Sequence, residues 1–230
     1  MTYKKAVEAY NEKVKNIWSA GLFEDQNTCV EFSLPCLHIE QEMADVWFLG
    51  MNPSLSRRYL KETRFAEVTS KTELSREVCL TLEQEQKEAH LNHPYFKAAN
   101  TFFTETVAVK SLNKPVYHDV YPIRHTQQTE VVQFLRQKPK VAKYLLHATR
   151  DILWEVSPKL IVVANVEASN HLAEVFEAPN NNAISEQSIE VKDGTSRLLF
   201  AGMLSGQRAM DRYSKIRLAN DIRRTLCEKP

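Results

Sequence analysis

Glycine is scarce in this chain, with only five in 230 residues. Three of the five fall in two short segments: Gly50 in "DVWFLGMNPS", and Gly202 and Gly206 in "GMLSGQRAMDRY". Glycine tolerates backbone conformations and close approaches that other residues do not. A chain with so few glycines is therefore expected to place them where its backbone requires them.

Other features that are missing exclude several classes of protein. No Pro/Gly/Ser-rich linker interrupts the sequence, so residues 1–230 are expected to form a single domain. No C-x-x-C pair occurs, which argues against a zinc site or an iron–sulfur cluster and predicts no metal and no cofactor. No apolar run is long enough for a signal peptide or a membrane span, so we expect a cytoplasmic protein without a membrane partner. The cysteines are expected to be reduced and mostly buried: Cys29, Cys36, Cys79 and Cys227.

The net charge is close to zero, because 30 Lys and Arg residues face 29 Asp and Glu residues. Overall charge therefore neither requires nor excludes a nucleic-acid partner. One segment, from Arg197 to Arg224, contains an excess of cations of the kind that binds phosphates. A solvated helix surface is the alternative explanation. The cations are Arg197, Arg208, Arg212, Lys215, Arg217, Arg223 and Arg224.

Apolar runs alternate with segments of helical periodicity along the chain. A helix is predicted over residues 3–20, and residues 60–89 are expected to form an exposed, charged insertion that is either helical or irregular. The runs "DVWFLG", "PVYHDVYPI" and "KLIVVAN" predict buried strands, and "CVEFSLPCLHIE" one or two short ones. A hairpin is predicted around Asp193-Gly194. Strands separated by helices indicate a mostly parallel sheet with helices on both faces.

Polar side chains follow or end several of these strand runs. Ligands of open α/β sheets bind beyond the carboxyl ends of the strands. The sequence therefore predicts that four side chains converge on one crevice: Asn52, Asp119, Asn165 and Ser205.

Taken in order, these segments resemble the uracil-DNA glycosylase superfamily, in particular its mismatch-specific and single-strand-selective branches. "FLGMNPS" is similar to the first motif of that family, "VYHDVYPI" to the strand that carries the base-reading residue, and "GMLSGQRAMDRY" to the second motif. The resemblance implies a three-layer α/β/α sandwich with a mostly parallel, four-stranded central sheet. It also implies a metal-independent, monomeric enzyme that flips a nucleotide out of DNA and hydrolyses its N-glycosidic bond.

The resemblance assigns roles to the residues of the first motif. Asn52 would orient the attacking water, with Gly50 and Met51 beside it in the base pocket. An Asn-Pro turn without a chemical role is the alternative. Ser54 stands where uracil-specific members carry a tyrosine that blocks C5-substituted bases, so the pocket is expected to have room at C5. Ser54 can also cap a helix.

Asp119 stands where the family carries an asparagine that pairs with uracil. A carboxyl group would accept from N4 of cytosine and, when protonated, donate to N3. The alternatives are that His118 reads the base or that Asp119 lies outside the pocket. Phe65 and Tyr95 are candidates for stacking on the base, or else belong to the core.

The second motif lacks the family's histidine, because Met203-Leu204-Ser205 stands in place of His/Asn-Pro-Ser. The consequences left open are slower chemistry, compensation by His93 or His125, and loss of catalysis. The residues after this point are predicted to grip phosphate and fill the gap left by a flipped nucleotide, with a plain turn as the alternative. These DNA-binding candidates are Ser205, Gly206, Gln207, Arg208 and Arg212.

Ser54 and Asp119 together predict excision of a C5-modified cytosine, an activity suited to antiviral defence against phages with modified DNA. One alternative is a uracil or thymine mismatch repair glycosylase. The other is a non-catalytic nucleic-acid-binding protein of the same fold.

Overall fold

A computed structural model describes residues 1–20, 35–53, 76–109, 114–125, 127–176, 186–204 and 209–227. Three predicted strands form within it: β1 (Val46–Gly50), β2 (Val116–Asp119) and β3 (Leu160–Val163). β1 and β3 are continuous apolar runs, whereas β2 ends in His118 and Asp119. The predicted hairpin supplies β4 (Glu186–Val191) and β5 (Gly194–Phe200), and Gly194 provides the positive φ of its turn, +128°.

These strands form one sheet in the order β2-β1-β3-β5-β4. β2, β1, β3 and β5 are parallel, and β4 runs antiparallel to β5 at the edge. The expectation of four strands was wrong by one, because the first arm of the hairpin joins the sheet. The expectation of an α/β fold with a mostly parallel sheet is confirmed.

Helices cover both faces of the sheet, since alternate residues of the parallel strands are buried on opposite sides. On one face, Trp47 and Leu49 pack against α1 (Tyr3–Ser19), α4 (Gln128–Gln137), α5 (Pro139–Val156) and α6 (Val166–Val175). On the other face, Val46 and Phe48 pack against α3 (Pro94–Thr101), a π-helix (Phe102–Val107) and α7 (Arg212–Cys227). The arrangement is a sandwich of helices, sheet and helices.

The charged insertion is only partly described, and its second half belongs to α2 (Arg76–Asn92). Val78, Cys79 and Leu82 are buried, because α2 packs one apolar stripe inward. The expectation of a fully exposed insertion was therefore wrong for this helix. No helix of the described residues is both long and apolar enough to cross a membrane.

The segment before β1 does not form the expected strands in its described part. Pro35 forms an isolated bridge to Ile123, and its carbonyl accepts from Nε of Arg124 at 3.1 Å. Side chains hold the residues after Pro35 in place. Asn11 bonds both backbone groups of His38, at 2.8 Å each, and the amide of Gln41 bonds the backbone N–H and C=O of Tyr117 in the edge strand β2. This segment therefore lies along the open edge of the sheet, where a further strand would lie.

Candidate active site

The ends of β1 and β2 meet at Gly50 and Asp119, which lie opposite each other in the sheet register. A Cβ on residue 50 would overlap Oδ1 of Asp119 and lie 3.3 Å from the hydroxyl of Tyr95. Gly50 therefore lets a carboxyl group and a phenol approach the same point at the strand end. This is one place where the sparing use of glycine has a structural reason.

A cavity opens beside these residues, between β2 and the segment that covers its edge. Its empty volume is about 400 Å³, including the part open to solvent. Its lining residues are Tyr10, Cys36, Leu37, His38, Ile39, Phe48, Gln86, Tyr95, Phe96, Tyr117, His118, Asp119 and Pro122.

Asp119 contributes a carboxyl group to the wall of this cavity. Burial raises its pKa from 3.8 to about 7, and the nearby Arg124 guanidinium limits the rise. No hydrogen bond joins the carboxyl group to another described residue. Near neutral pH, Asp119 can therefore be either a carboxylic acid that donates or a carboxylate that accepts.

The hydroxyl of Tyr95 faces the same place from α3. Burial, followed by the negative charge of Asp119, raises the pKa of Tyr95 well above its ordinary value, so the phenol keeps its proton. This hydroxyl also makes no hydrogen bond to another described residue. By contrast, the hydroxyl of Tyr117, on the same cavity wall, donates to Asn100 at 2.8 Å.

Asn52 follows β1 and is held in one orientation. Its Nδ2 donates to the backbone carbonyls of His125 at 2.8 Å and Pro53 at 3.3 Å. Because both neighbours are acceptors, the amide nitrogen must face them, and Oδ1 must point away. Within the described residues Oδ1 accepts no hydrogen bond. Asn52 is outside the set that lines the cavity, and it presents a fixed acceptor two residues beyond Gly50.

His118 lines the cavity, but both of its ring nitrogens have partners. Nδ1 lies 3.1 Å from Nδ1 of His38, and Nε2 lies 3.5 Å from the hydroxyl of Thr149. That hydroxyl donates to the carbonyl of Val120 at 2.9 Å, so it accepts from His118. Burial lowers the pKa of His118 to about 3 and keeps it neutral. These contacts leave Asp119, and not His118, as the polar group available to a ligand.

Two other candidates for the base pocket, Asn165 and Met51, interact with the helices and the core and not with the cavity. Oδ1 of Asn165 accepts from the backbone N–H groups of Glu167 and Ala168, which makes Asn165 the N-cap of α6. Its Nδ2 donates to Gln128 at 2.9 Å. Met51 is buried in the core. Neither is among the described residues around the cavity, so strand-end position alone did not bring Asn165 to the site.

Two further histidines, His93 and His125, were predicted from the sequence as possible donors to the departing base, and both bond other residues. Nδ1 of His93 accepts from the N–H of Tyr95 at 3.2 Å and caps α3. Nδ1 of His125 accepts from the N–H of Gln127 at 3.0 Å, and its Nε2 lies 3.1 Å from Glu130. Neither histidine is among the described lining residues.

Four described cations of the basic segment have different surroundings. Arg197 and Arg224 form ion pairs with Glu186, at 2.5 and 2.8 Å. Arg223 donates to two backbone carbonyls at the end of the π-helix. Arg212 is exposed at the start of α7, where Asp211 caps the helix. The chain reaches Arg212 from the carboxyl end of β5, so this cation lies on the side of the sheet where β1 and β2 end.

Several predicted site residues lie outside the described ranges. They are Ser54, Phe65, Ser205, Gly206, Gln207 and Arg208. Within the second motif, the N–H of Met210 donates to the carbonyl of Met203 at 2.8 Å. The two described parts of this motif are therefore joined to each other.

Part of the cavity wall could not be predicted from the sequence, because no local motif marks its residues. Tyr10, Gln86 and residues 36–39 come from three distant parts of the chain. Only the packing of α1, α2 and the edge segment against β2 brings them together. Across the described ranges, no group of three or more His, Cys, Asp or Glu side chains could hold a metal ion.

The site thus combines a cavity with two polar groups that bond no described residue. A carboxyl group that titrates near neutral pH and a protonated phenol share it, and the fixed amide oxygen of Asn52 follows the end of the neighbouring strand β1. No protein-family model matches the chain, and no curated protein matches it either.

Proposed function

We propose that this protein is a DNA glycosylase that flips a C5-modified cytosine into the cavity and hydrolyses its N-glycosidic bond. The observation that carries the proposal is the carboxyl group of Asp119, which titrates near neutral pH in the cavity and bonds no described residue. Asp119 is half-buried, so its carboxyl group is positioned to bind a polar ligand that enters the cavity.

The hydrogen-bonding edge of cytosine complements this carboxyl group. The protonated oxygen donates to N3, and the other oxygen accepts from the N4 amino group. Uracil offers the reverse pattern at these two atoms, a donor at N3 and an acceptor at O4. Aromatic residues such as Phe48, Phe96 and Tyr117 line the same cavity and suit a planar base. Ser54 supports room at C5, on the strength of its small side chain.

The proposed reaction conserves atoms and charge. The C1′–N1 bond breaks with its electron pair moving to the base, while Asp119 transfers its proton to N3. The oxygen of a water held by Oδ1 of Asn52 bonds to C1′, and the water's spare proton passes to solvent, from which Asp119 is reprotonated. Such a dissociative step depends more on fixed dipoles and a placed water than on a strong base.

The partner in this proposal is DNA, bound by a monomer. Arg212, exposed near the carboxyl ends of the strands, supports contact with phosphate on that side of the sheet. Excision of modified cytosine in a bacterial cell would attack phage genomes that carry such bases. Antiviral defence is therefore the proposed setting of the activity.

Single-turnover base release tests the proposal on duplexes that differ at one nucleotide. The test set contains cytosine, uracil, 5-hydroxymethylcytosine and glucosylated 5-hydroxymethylcytosine, and abasic sites are detected by alkaline cleavage. We expect abasic sites at C5-substituted cytosine and few at uracil. Faster release of uracil or mismatched thymine would replace the cytosine proposal with mismatch repair. Binding without release on every duplex would indicate a non-catalytic nucleic-acid-binding protein.

A further inference from the structure

The second motif lacks the histidine that, in the family it resembles, stabilises the departing base. As the C1′–N1 bond breaks, negative charge develops on O2 of the base, and a donor at O2 stabilises it. Met203 and Leu204 stand where the family has its histidine, and Leu204 is buried in the core. His93 and His125 are not among the described residues that line the cavity, and each has ring nitrogen contacts with other residues.

The hydroxyl of Tyr95 meets the requirements for such a donor. Its oxygen lies 3.3 Å from the position of a Cβ on residue 50, a point that Oδ1 of Asp119 also approaches, and it makes no hydrogen bond to a described residue. O2 of cytosine is attached to C2, the ring atom next to N3. A base held at N3 by Asp119 therefore presents O2 close to that carboxyl group. A phenol placed next to Asp119 can therefore reach the oxygen that the carboxyl group leaves free.

We propose that Tyr95 is a catalytic residue that donates its hydroxyl hydrogen bond to O2 of the departing base, in the place of the absent histidine. This role rests on the proposed glycosylase function. Tyr95 keeps its proton throughout: the electron pair of the broken C1′–N1 bond spreads to O2, and the hydrogen bond stabilises it there. The proton that the base acquires still comes from Asp119.

Tyr121 provides a matched control away from the described lining of the cavity. Its side chain is buried in the core, and its hydroxyl is hydrogen bonded to Nδ1 of His171 at 2.6 Å. Tyr121→Phe and Tyr95→Phe each remove one oxygen atom and leave the ring. Only the second variant removes a donor that is open to the cavity.

The experiment measures single-turnover base release over a series of leaving groups. Duplexes carry cytosine substituted at C5 with methyl, hydroxymethyl, fluoro or formyl groups, and the electron-withdrawing ones lower the basicity of the departing base. Loss of one such donor costs about 100-fold, so we expect Tyr95→Phe to slow release of 5-methylcytosine by that factor. The loss should shrink toward fluoro and formyl, because those bases need less stabilisation at O2. Tyr121→Phe should stay within about twofold of the wild type on every duplex.

The outcomes separate this role from the function on which it rests. A loss in Tyr95→Phe that is equal for all leaving groups would show a packing role and overturn the inference, as would unchanged rates. In both cases the wild type still releases the base and the glycosylase proposal stands. If the wild type forms no abasic site on any duplex, the proposed function fails and the role of Tyr95 fails with it.

Discussion

Two asparagines follow strands of the sheet in this protein, and their surroundings differ in one respect. Asn52 uses only its amide nitrogen, on two backbone carbonyls, and its Oδ1 accepts from no described residue. Asn165 uses both ends of its side chain within the protein. The same residue type therefore presents an acceptor at the end of β1 and a structural cap at the end of β3.

This difference predicts opposite effects of removing each side chain. Asn52→Ala should slow base release by about 100-fold, the scale of losing one transition-state contact, and leave DNA binding nearly intact. Asn165→Ala should cost about 1 kcal/mol of stability as a lost helix cap and leave the rate nearly unchanged. Single-turnover kinetics, a DNA-binding assay and urea unfolding measure the three quantities. Equal release rates in wild type and Asn52→Ala would remove Asn52 from the mechanism.

Asp119 should determine which base the cavity accepts. An amide at this position supplies the donor that O4 of uracil requires, so Asp119→Asn should shift the preference from C5-substituted cytosine toward uracil. One hydrogen bond gained or left unpaired in a buried site is worth about 1–3 kcal/mol, or roughly one to two decades in the ratio of rates. Competing duplexes in one reaction give that ratio directly. A ratio that does not move in Asp119→Asn would place the carboxyl group outside base recognition.

Ser54 tests the space at C5 independently of that hydrogen bond. Ser54→Tyr introduces a ring where the family resemblance places the C5 substituent, so release of 5-hydroxymethylcytosine should fall more than release of cytosine or uracil. Ser54→Ala, which adds no bulk, serves as the control. Equal losses on all three bases would argue against a pocket at C5.

Helix α7 carries cations in different surroundings. Both Arg224 and Arg212 are exposed, but Arg224 forms ion pairs with Glu186 and Asp221, whereas Arg212 forms none with another described residue. Arg212→Ala should therefore weaken DNA binding on all sequences and reduce the slope of log affinity against log salt by about 0.9, as expected for one lost phosphate contact. Arg224→Ala should leave that slope unchanged. Identical salt slopes for Arg212→Ala and the wild type would assign Arg212 to a solvated helix surface.

The elements that were predictable from the sequence are those with a local signal. "VWFLG" and "LIVV" are continuous apolar runs, and Gly194 marks the hairpin turn, so β1, β3 and β5 could be placed in advance. The segment before β1 could not, because its conformation depends on Asn11 and Gln41 bonding backbone groups far along the chain.

Only part of the candidate site was predictable from the sequence. Strand ends indicated Asn52 and Asp119, since parallel strands bring their carboxyl ends to one edge. They also indicated Asn165, whose capping role depends on the helix after it. The hydroxyl of Tyr95 could not be placed beside Asp119 from sequence, because its position depends on how α3 packs against Gly50.

At the scale of the whole molecule, the cavity makes folding stability depend on pH. The pKa of Asp119 is raised from 3.8 to about 7 in the folded protein by burial. Between these values the folded chain keeps a proton that the unfolded chain has released. The free energy of unfolding must therefore decrease as pH rises through this window, by about 1.4 kcal/mol per pH unit for one full proton. Above pH 7 both states are ionised and the contribution levels off.

The Asp119→Asn variant isolates this effect, because its side chain does not titrate. Urea unfolding from pH 4 to pH 9 should show the wild type losing stability relative to Asp119→Asn up to about pH 7, with a constant difference above it. His118, whose pKa is lowered by burial, titrates in both proteins, so its contribution cancels in the difference. Asp151→Asn is the control: burial alone would raise the pKa of Asp151, but its ion pairs with Lys13 and Arg150 outweigh burial and lower that pKa, so folded and unfolded states are both ionised above about pH 5. A wild-type curve parallel to that of Asp119→Asn would mean that Asp119 is ionised throughout, and the proton that the proposed reaction delivers to N3 would then have no source in this side chain.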